Sequence, residues 1–114
     1  MVNILRGDVI LCDLNPVIGS EQRGIRPCIV IQNNQANLSS PHTIIAPFTT
    51  KIREKILPSH VFVPALVGGL SENSVIFIEQ LRVIDTRRII SKMGSLEESY
   101  LSEIIIALKN LFEI

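Results

Sequence analysis

The chain is a succession of short apolar runs, each cut off by glycine, proline or asparagine before it reaches the length of an ordinary helix. Val9-Ile10-Leu11-Cys12 follows the turn-forming Arg6-Gly7-Asp8 and stops at Asn15-Pro16. Cys28 to Gln32 is a near-continuous apolar run rich in β-branched residues, which predicts a strand covered on both faces. Thr43 to Thr49 is a third strand, and its internal Pro47 predicts an edge or a bulge, because proline has no N–H for a ladder. His60 to Val63 is a fourth, Ser74 to Val83 reads as the longest, and a last short strand falls around Ile89 to Met93. Many short strands divided by such turns predict a small barrel or sandwich. No repeat, low-complexity tract or linker interrupts the pattern. Residues 1–114 are therefore expected to form a single domain, long enough for a core without metal or disulfide staples.

Only the C-terminal segment carries a helical period. Ser95 and Glu98 have the spacing of a capping box, and Glu97 and Glu98 sit where a helix dipole favours negative charge. Leu101, Ile104, Ile105, Leu108, Leu111 and Phe112 then form one stripe. Ile106 lies off it, which hints at a second buried face. The expected fold is mainly β with a C-terminal α-helix lying against the barrel or in a subunit interface. Charged residues make up 19% of the chain, below the roughly 25% of an average soluble protein. A domain this small cannot hide so much apolar surface within itself, so a homodimer is expected.

The polar chemistry is concentrated in Gly19-Ser20-Glu21-Gln22-Arg23-Gly24-Ile25-Arg26-Pro27. A loop that only reverses the chain needs neither the carboxylate, the amide nor the two guanidinium groups; one that holds a phosphodiester and moves a proton needs most of them. The formal net charge is zero, which argues against nonspecific duplex binding over a broad basic face. Positive charge is nonetheless clustered, at Arg23 and Arg26, at Lys51, Arg53 and Lys55, and at Arg82, Arg87, Arg88 and Lys92. Brought together, these groups could line one polyanion track; left apart, they are solvated surface.

Other chemistries find little support. The two histidines, His42 and His60, lie outside the loop. The carboxylates Asp8, Asp13 and Asp85 have no magnesium-binding spacing, and neither a glycine-rich nucleotide loop nor Gly-x-Ser-x-Gly is present. Cys12 and Cys28 lack the further ligands of a structural zinc site and read as small buried hydrophobes, with a disulfide left open. The expectation is no metal and no cofactor. Met1 to Arg6 leads straight into a charged turn without a leader pattern, and the apolar runs are too short to span a bilayer. A cytoplasmic protein is expected.

Arginine, a hydroxyl and a carboxylate suffice for metal-free cleavage of RNA, because RNA supplies its own 2′-hydroxyl as nucleophile. The protein must hold that hydroxyl in line with the phosphate, stabilise charge on the phosphorane oxygens and transfer a proton.

The chain resembles the MazF/PemK (Kid) family of toxin endoribonucleases. The resemblance runs nearly end to end. It is carried by Arg6-Gly7-Asp8-Val9, Gly19 to Asn33, Leu57-Pro58-Ser59-His60-Val61, Gly69-Leu70 through Ser74, and Glu79-Gln80-Leu81-Arg82 with Ile84-Asp85. It implies a homodimer of SH3-like small β-barrels, a fold shared with the gyrase-poisoning toxin CcdB. It also implies ribosome-independent, sequence-selective, metal-independent cleavage of single-stranded RNA to a 2′,3′-cyclic phosphate and a 5′-hydroxyl.

The family's catalytic pair is an arginine before the proline that opens the second strand and a threonine ending the third; the matching positions are Arg26 and Thr49, with Thr50 adjacent. Arginine does not lose its proton near neutral pH, so an electrostatic role for Arg26 is preferred. Thr49 would hydrogen-bond the scissile phosphate, and Glu21 is the candidate base. Ser20, Gln22, Arg23, Thr50 and Gln80 would contact RNA. Position 23 is often small in this family, so Arg23 adds charge beside the phosphate or alters base selection; the connection from Val63 to Leu70 is also short for the family. The implied partners are single-stranded RNA and a MazE-like antitoxin, with operator DNA reached only through the antitoxin, and no membrane. Two other functions use the same scaffold: a non-catalytic toxin that binds a protein such as gyrase, and a barrel that binds RNA without cutting it. With no Trp, one Tyr and four Phe, the chain has few of the aromatic platforms that the last would need.

Overall fold

The computed structural model describes residues 3–19, 21–22, 24–52 and 57–114. Strand β1 (Asp8–Asp13) pairs antiparallel with β2 (Ile25–Val30), which pairs with β3 (His42–Thr49). β4 (His60–Val63) and β5 (Ser74–Phe77) form a hairpin-like pair that joins the end of β3, while β6 (Arg82–Asp85) pairs with its beginning. β7 (Ile89–Ser95) returns to β1 through two register shifts. The hydrogen-bonded path is β4-β5-β3-β2-β1-β7, with β6 branching from β3. The expected barrel is thus a strongly curled sheet whose ladder is not closed into a ring.

Pro47 is neither on an edge nor in a bulge, as the sequence led us to expect. It lies inside β3, opposite Cys28 of β2. On the other side of β3, pairing with β6 ends at Ile45, and pairing with β5 begins at Phe48. Pro47 occupies the gap where β3 changes partners, so no ladder bond needs the N–H that proline lacks. The expected long strand from Ser74 to Val83 is broken at the same level by a 3₁₀ turn, Ile78–Gln80, which separates β5 from β6. β2 also ends earlier than expected, at Val30.

The sheet buries residues on both faces because its strands alternate. Val9, Ile29, Ala46 and Phe48 point into one core, which gathers Val61, Val63, Leu70, Ile76 and Ile78. It is roofed by Ile104 and Ala107 of helix α2 (Glu98–Phe112), the second helix after α1 (Asn34–Ser39). Ile10, Cys12, Cys28, Val30 and Ile45 point into the other core, closed by Leu14, Ile84 and Ile89. Each fully buried aliphatic side chain contributes about 1.5–3 kcal/mol.

The capping box does not form: Ser95 is the last residue of β7, and the helix starts at Glu98 with Glu97 as its N-cap. Leu101, Leu108 and Leu111 pack against the first core as their period requires. Ile105, Ile106 and Phe112 are exposed, so the second buried face expected at Ile106 is not covered within this chain. The sequence reading missed α1. Its start is set by Asn33, whose side chain accepts the Ala36 N–H at 2.8 Å.

Candidate active site

The connection between β1 and β2 is tied at both ends. Leu14 N–H donates to Gly24 O (3.1 Å), and Gly24 N–H donates to Asn15 Oδ1 (3.2 Å), so entry and exit meet. Two arginines from beyond β5 hold the entry. Arg88 Nη1 donates to the carbonyls of Asp13 (3.1 Å) and Asn15, and Arg82 Nη1 donates to that of Leu14 (3.4 Å). Gly19 and Gly24 have φ of +60° and +81°, and a Cβ added at either meets nothing within 4 Å. Glycine is needed there for the left-handed backbone and not for space.

Within this frame, Glu21 closes its own turn. Its Oε1 accepts the Ile18 N–H at 2.6 Å, while its N–H donates to Ile18 O at 3.3 Å. The Gln22 N–H donates to Gln80 Oε1 at 2.7 Å, joining the loop to the Ile78–Gln80 turn. Between them lies a cavity of about 310 Å³ lined by Glu21, Gln22, Pro47, Glu79, Gln80 and Arg82 among others. It opens where β3 changes partners, so Pro47 forms part of its wall.

Arg26 and Thr49 stand beside this cavity, on the strands, and are not in its lining. Arg26 is half-buried on β2, and its Nη1 donates to Phe48 O at 3.0 Å. The guanidinium therefore reaches across to the residue that precedes Thr49. Thr49 is buried at the end of β3, its Oγ1 accepting the Lys51 N–H at 3.2 Å, and Thr50 is exposed just beyond. The fold thus brings Arg26 to the Thr49 end of β3, and Glu21 and Gln22 to Gln80. Ser20 and Arg23 lie outside the described residues, as do Arg53 and Lys55 of the basic cluster.

Among the described residues, the late basic groups Arg82, Arg87, Arg88 and Lys92 are engaged with different partners. Arg87 makes two hydrogen bonds to the Asp85 carboxylate, at 3.1 Å each, and Lys92 pairs with buried Asp8 at 3.2 Å. The Arg87 guanidinium, by its hydrogen bonds, holds the Asp85 carboxyl down at about 2. Arg88 is committed to loop carbonyls, which leaves Arg82 as the late arginine that faces the cavity. Cys12 and Cys28 are free, buried thiols; a hydrogen bond between them and burial push the Cys28 thiol far above its ordinary range. Among the described residues, no group of three or more His, Cys, Asp or Glu side chains could hold a metal ion, and no helix is long and apolar enough to cross a membrane.

Sequence reasoning had not placed Glu79, Arg82 or His60 at the site. Glu79 and Arg82 line the cavity, and His60 Nε2 lies 2.8 Å from Glu79 Oε2. The contact of His60 with Glu79 joins two separate segments of the chain; the available signals were the runs Leu57-Pro58-Ser59-His60-Val61 and Glu79-Gln80-Leu81-Arg82 themselves.

A curled antiparallel sheet with a C-terminal helix and a loop-lined cavity at its partner change is the MazF-like fold. The MazF of Deinococcus radiodurans, solved alone, has a TM-score of 0.84 at 25% identity, with all of both chains covered. Solved with MazE, it has a TM-score of 0.77 at 25% identity, covering 100% of this chain and 99% of that one. Endoribonuclease EndoA of Bacillus subtilis is 42% identical over 106 residues, 93% of this chain and 91% of EndoA. Endoribonuclease MazF of Staphylococcus epidermidis is 44% identical over 101 residues, 89% of this chain and 84% of that protein. The model for PemK-like, MazF-like toxins of type II toxin–antitoxin systems matches residues 5–112, and the chain belongs to this family.

Proposed function

We propose that this type II toxin, an endoribonuclease like its curated relatives, cuts single-stranded RNA by attack of the 2′-hydroxyl on the adjacent phosphate. The 2′-oxygen forms a bond to phosphorus, the bond to the 5′-oxygen breaks, and the departing 5′-oxygen takes a proton from solvent water, so that the products are a 2′,3′-cyclic phosphate and a 5′-hydroxyl. Glu21 takes the proton from the 2′-hydroxyl. Arg26 neutralises charge on the phosphorane oxygens with its fixed fork of donors, and Thr49 donates its hydroxyl hydrogen to the scissile phosphate. Gln22, Gln80 and Thr50, with Ser20 and Arg23, contact the RNA. No step needs a metal or a cofactor.

The observation that carries this reading is the bond from Arg26 Nη1 to the carbonyl of Phe48, the residue before Thr49 (3.0 Å). It ties the arginine and the hydroxyl to one strand junction. The names of the two curated relatives disfavour a gyrase-binding toxin on the same scaffold. The whole chain acts as one domain in the cytoplasm. It acts as a homodimer, a reading supported by exposed apolar side chains such as Ile106 and Phe112. Its partner is an antitoxin, as the family description and the solved MazE–MazF complex suggest. The complex reaches operator DNA through that antitoxin. Purified protein should cut a long unstructured RNA in excess chelator, leave 5′-hydroxyl ends and spare an all-deoxy analogue. Failure of the folded protein to cut any RNA would remove the reading.

A further inference from the structure

His60, with Glu79 and Arg82, is a side chain near the site that the proposed reaction does not use. It opens β4, its side chain is only 8% exposed, and its ring stacks on Phe77 with centroids 4.7 Å apart. Both ring nitrogens are engaged, in different directions. Nδ1 lies 3.3 Å from the Leu57 amide nitrogen. An amide N–H can only donate, so Nδ1 is the acceptor and Nε2 carries the proton. Nε2 then donates to Glu79 Oε2 at 2.8 Å, an oxygen that Ser59 Oγ also reaches at 3.3 Å.

Glu79 sits in the Ile78–Gln80 turn, directly before Gln80, which accepts the Gln22 N–H at 2.7 Å. A continuous line therefore runs from Leu57, at the end of the β3–β4 connection, through His60, Glu79 and Gln80 to Gln22. It crosses one wall of the 310 Å³ cavity. The main chain here is already fixed without the ring: Ile78 N–H donates to Ser59 O (3.1 Å) and His60 N–H to Leu57 O (2.9 Å). A ring that served only as filler would need the Phe77 stack alone. The directed use of both nitrogens points to alignment of the side chains beyond it.

We infer that His60 is a positioning residue for RNA selection. Through Glu79 it aligns the side chains of the Ile78–Gln80 turn, and so the placement of Gln80 and of Gln22, which is bonded to it. Covered and doubly bonded, His60 does not itself touch the RNA. The inference rests on the reading that this cavity receives RNA.

The test compares the full chain with His60→Ala and His60→Gln. Glutamine can accept the Leu57 N–H with Oε1 and donate to Glu79 with Nε2. For His60→Ala, KM on a short RNA with a preferred cut site should rise roughly tenfold, about the value of one hydrogen bond, with kcat within about threefold. Cut sites on a long RNA should become less selective. His60→Gln should recover most of both losses, and adding Gln80→Ala to His60→Ala should cost little more, because the two act in one line. Hydrogen exchange supplies a readout that needs no RNA: the Gln22 amide should exchange about tenfold faster in His60→Ala and near the wild-type rate in His60→Gln. Unchanged Gln22 exchange in His60→Ala overturns the inference, whether or not RNA is cut. A fall in kcat that tracks lost folded protein, with KM and cut sites unchanged, does so as well. If the wild-type protein cuts no RNA while Gln22 exchange responds as expected, the functional reading fails and the coupling stands.

Discussion

The two halves of the site are held in different ways. Arg26 and Thr49 belong to neighbouring strands, each held in a ladder on one side, Arg26 opposite Cys12 of β1 and Thr49 opposite Val75 of β5. Glu21, Gln22 and Gln80 stand on a loop and a 3₁₀ turn, joined by bonds such as Ile18 N–H to Glu21 and Gln22 N–H to Gln80. Moving a strand residue breaks a ladder; moving a cavity residue breaks one or two hydrogen bonds. The difference suggests a division of labour. On the proposed function, charge stabilisation by Arg26 needs fixed geometry and falls to the strands, whereas the loop and turn carry the base, Glu21, and RNA contacts that can be retuned without disturbing the sheet.

That division can be broken most decisively at Arg26. Arg26→Ala should lower kcat by roughly 10²–10³-fold, the usual loss for one preorganised donor, with the cut-site pattern unchanged. Product analysis on one long RNA, with a thermal melt as control, checks this; an unfolded variant would make Arg26 structural instead. Glu21→Gln comes next. Glutamine retains an oxygen for the Ile18 N–H, so the turn should persist while proton transfer is lost, and the rate should fall about 10²-fold. A rate within threefold of wild type would move the base elsewhere.

Gln80→Ala should act on selection, raising KM about tenfold with kcat nearly intact. Equal cost in kcat and in kcat/KM would erase the boundary between the two halves. The smallest effect is expected far from both. Arg87→Ala should leave RNA cleavage unchanged while the Asp85 carboxyl, now at about 2, titrates closer to an ordinary aspartate. The sign follows from the lowered value. The pair favours the folded state above the unfolded carboxyl's pKa of about 3.9, and that contribution is lost as the pH falls through about 2. An NMR titration of Asp85 reads it directly.

Most strands were legible because alternation and turn residues are local signals. The break between β5 and β6 was not, because Ile78-Glu79-Gln80 contains neither glycine nor proline and continues an apolar run. The misplaced helix start has a related cause: Ser95 and Glu98 have capping spacing, but β1 claims Ser95 first by pairing it with Asp8. Helix α1 has no apolar stripe and announces itself only through Asn33. At the site, the Gly19–Gly24 loop was legible from its own chemistry. The line from Gln22 to Gln80 was not, since the two residues are 58 positions apart and meet only because β3 changes partners. His60 reads in the sequence as the first residue of a strand outside the polar loop, and nothing nearby in the chain indicates Glu79.

The paired thiols of the second core have a practical consequence. Cys12 and Cys28 are both at 0% exposure, and Cys12 lies directly across the ladder from Arg26. A thiol reagent can reach them only when the second core opens, so the labelling rate measures how often that happens. The strand pair that carries the arginine therefore contains its own stopwatch, readable by mass spectrometry on the untagged protein.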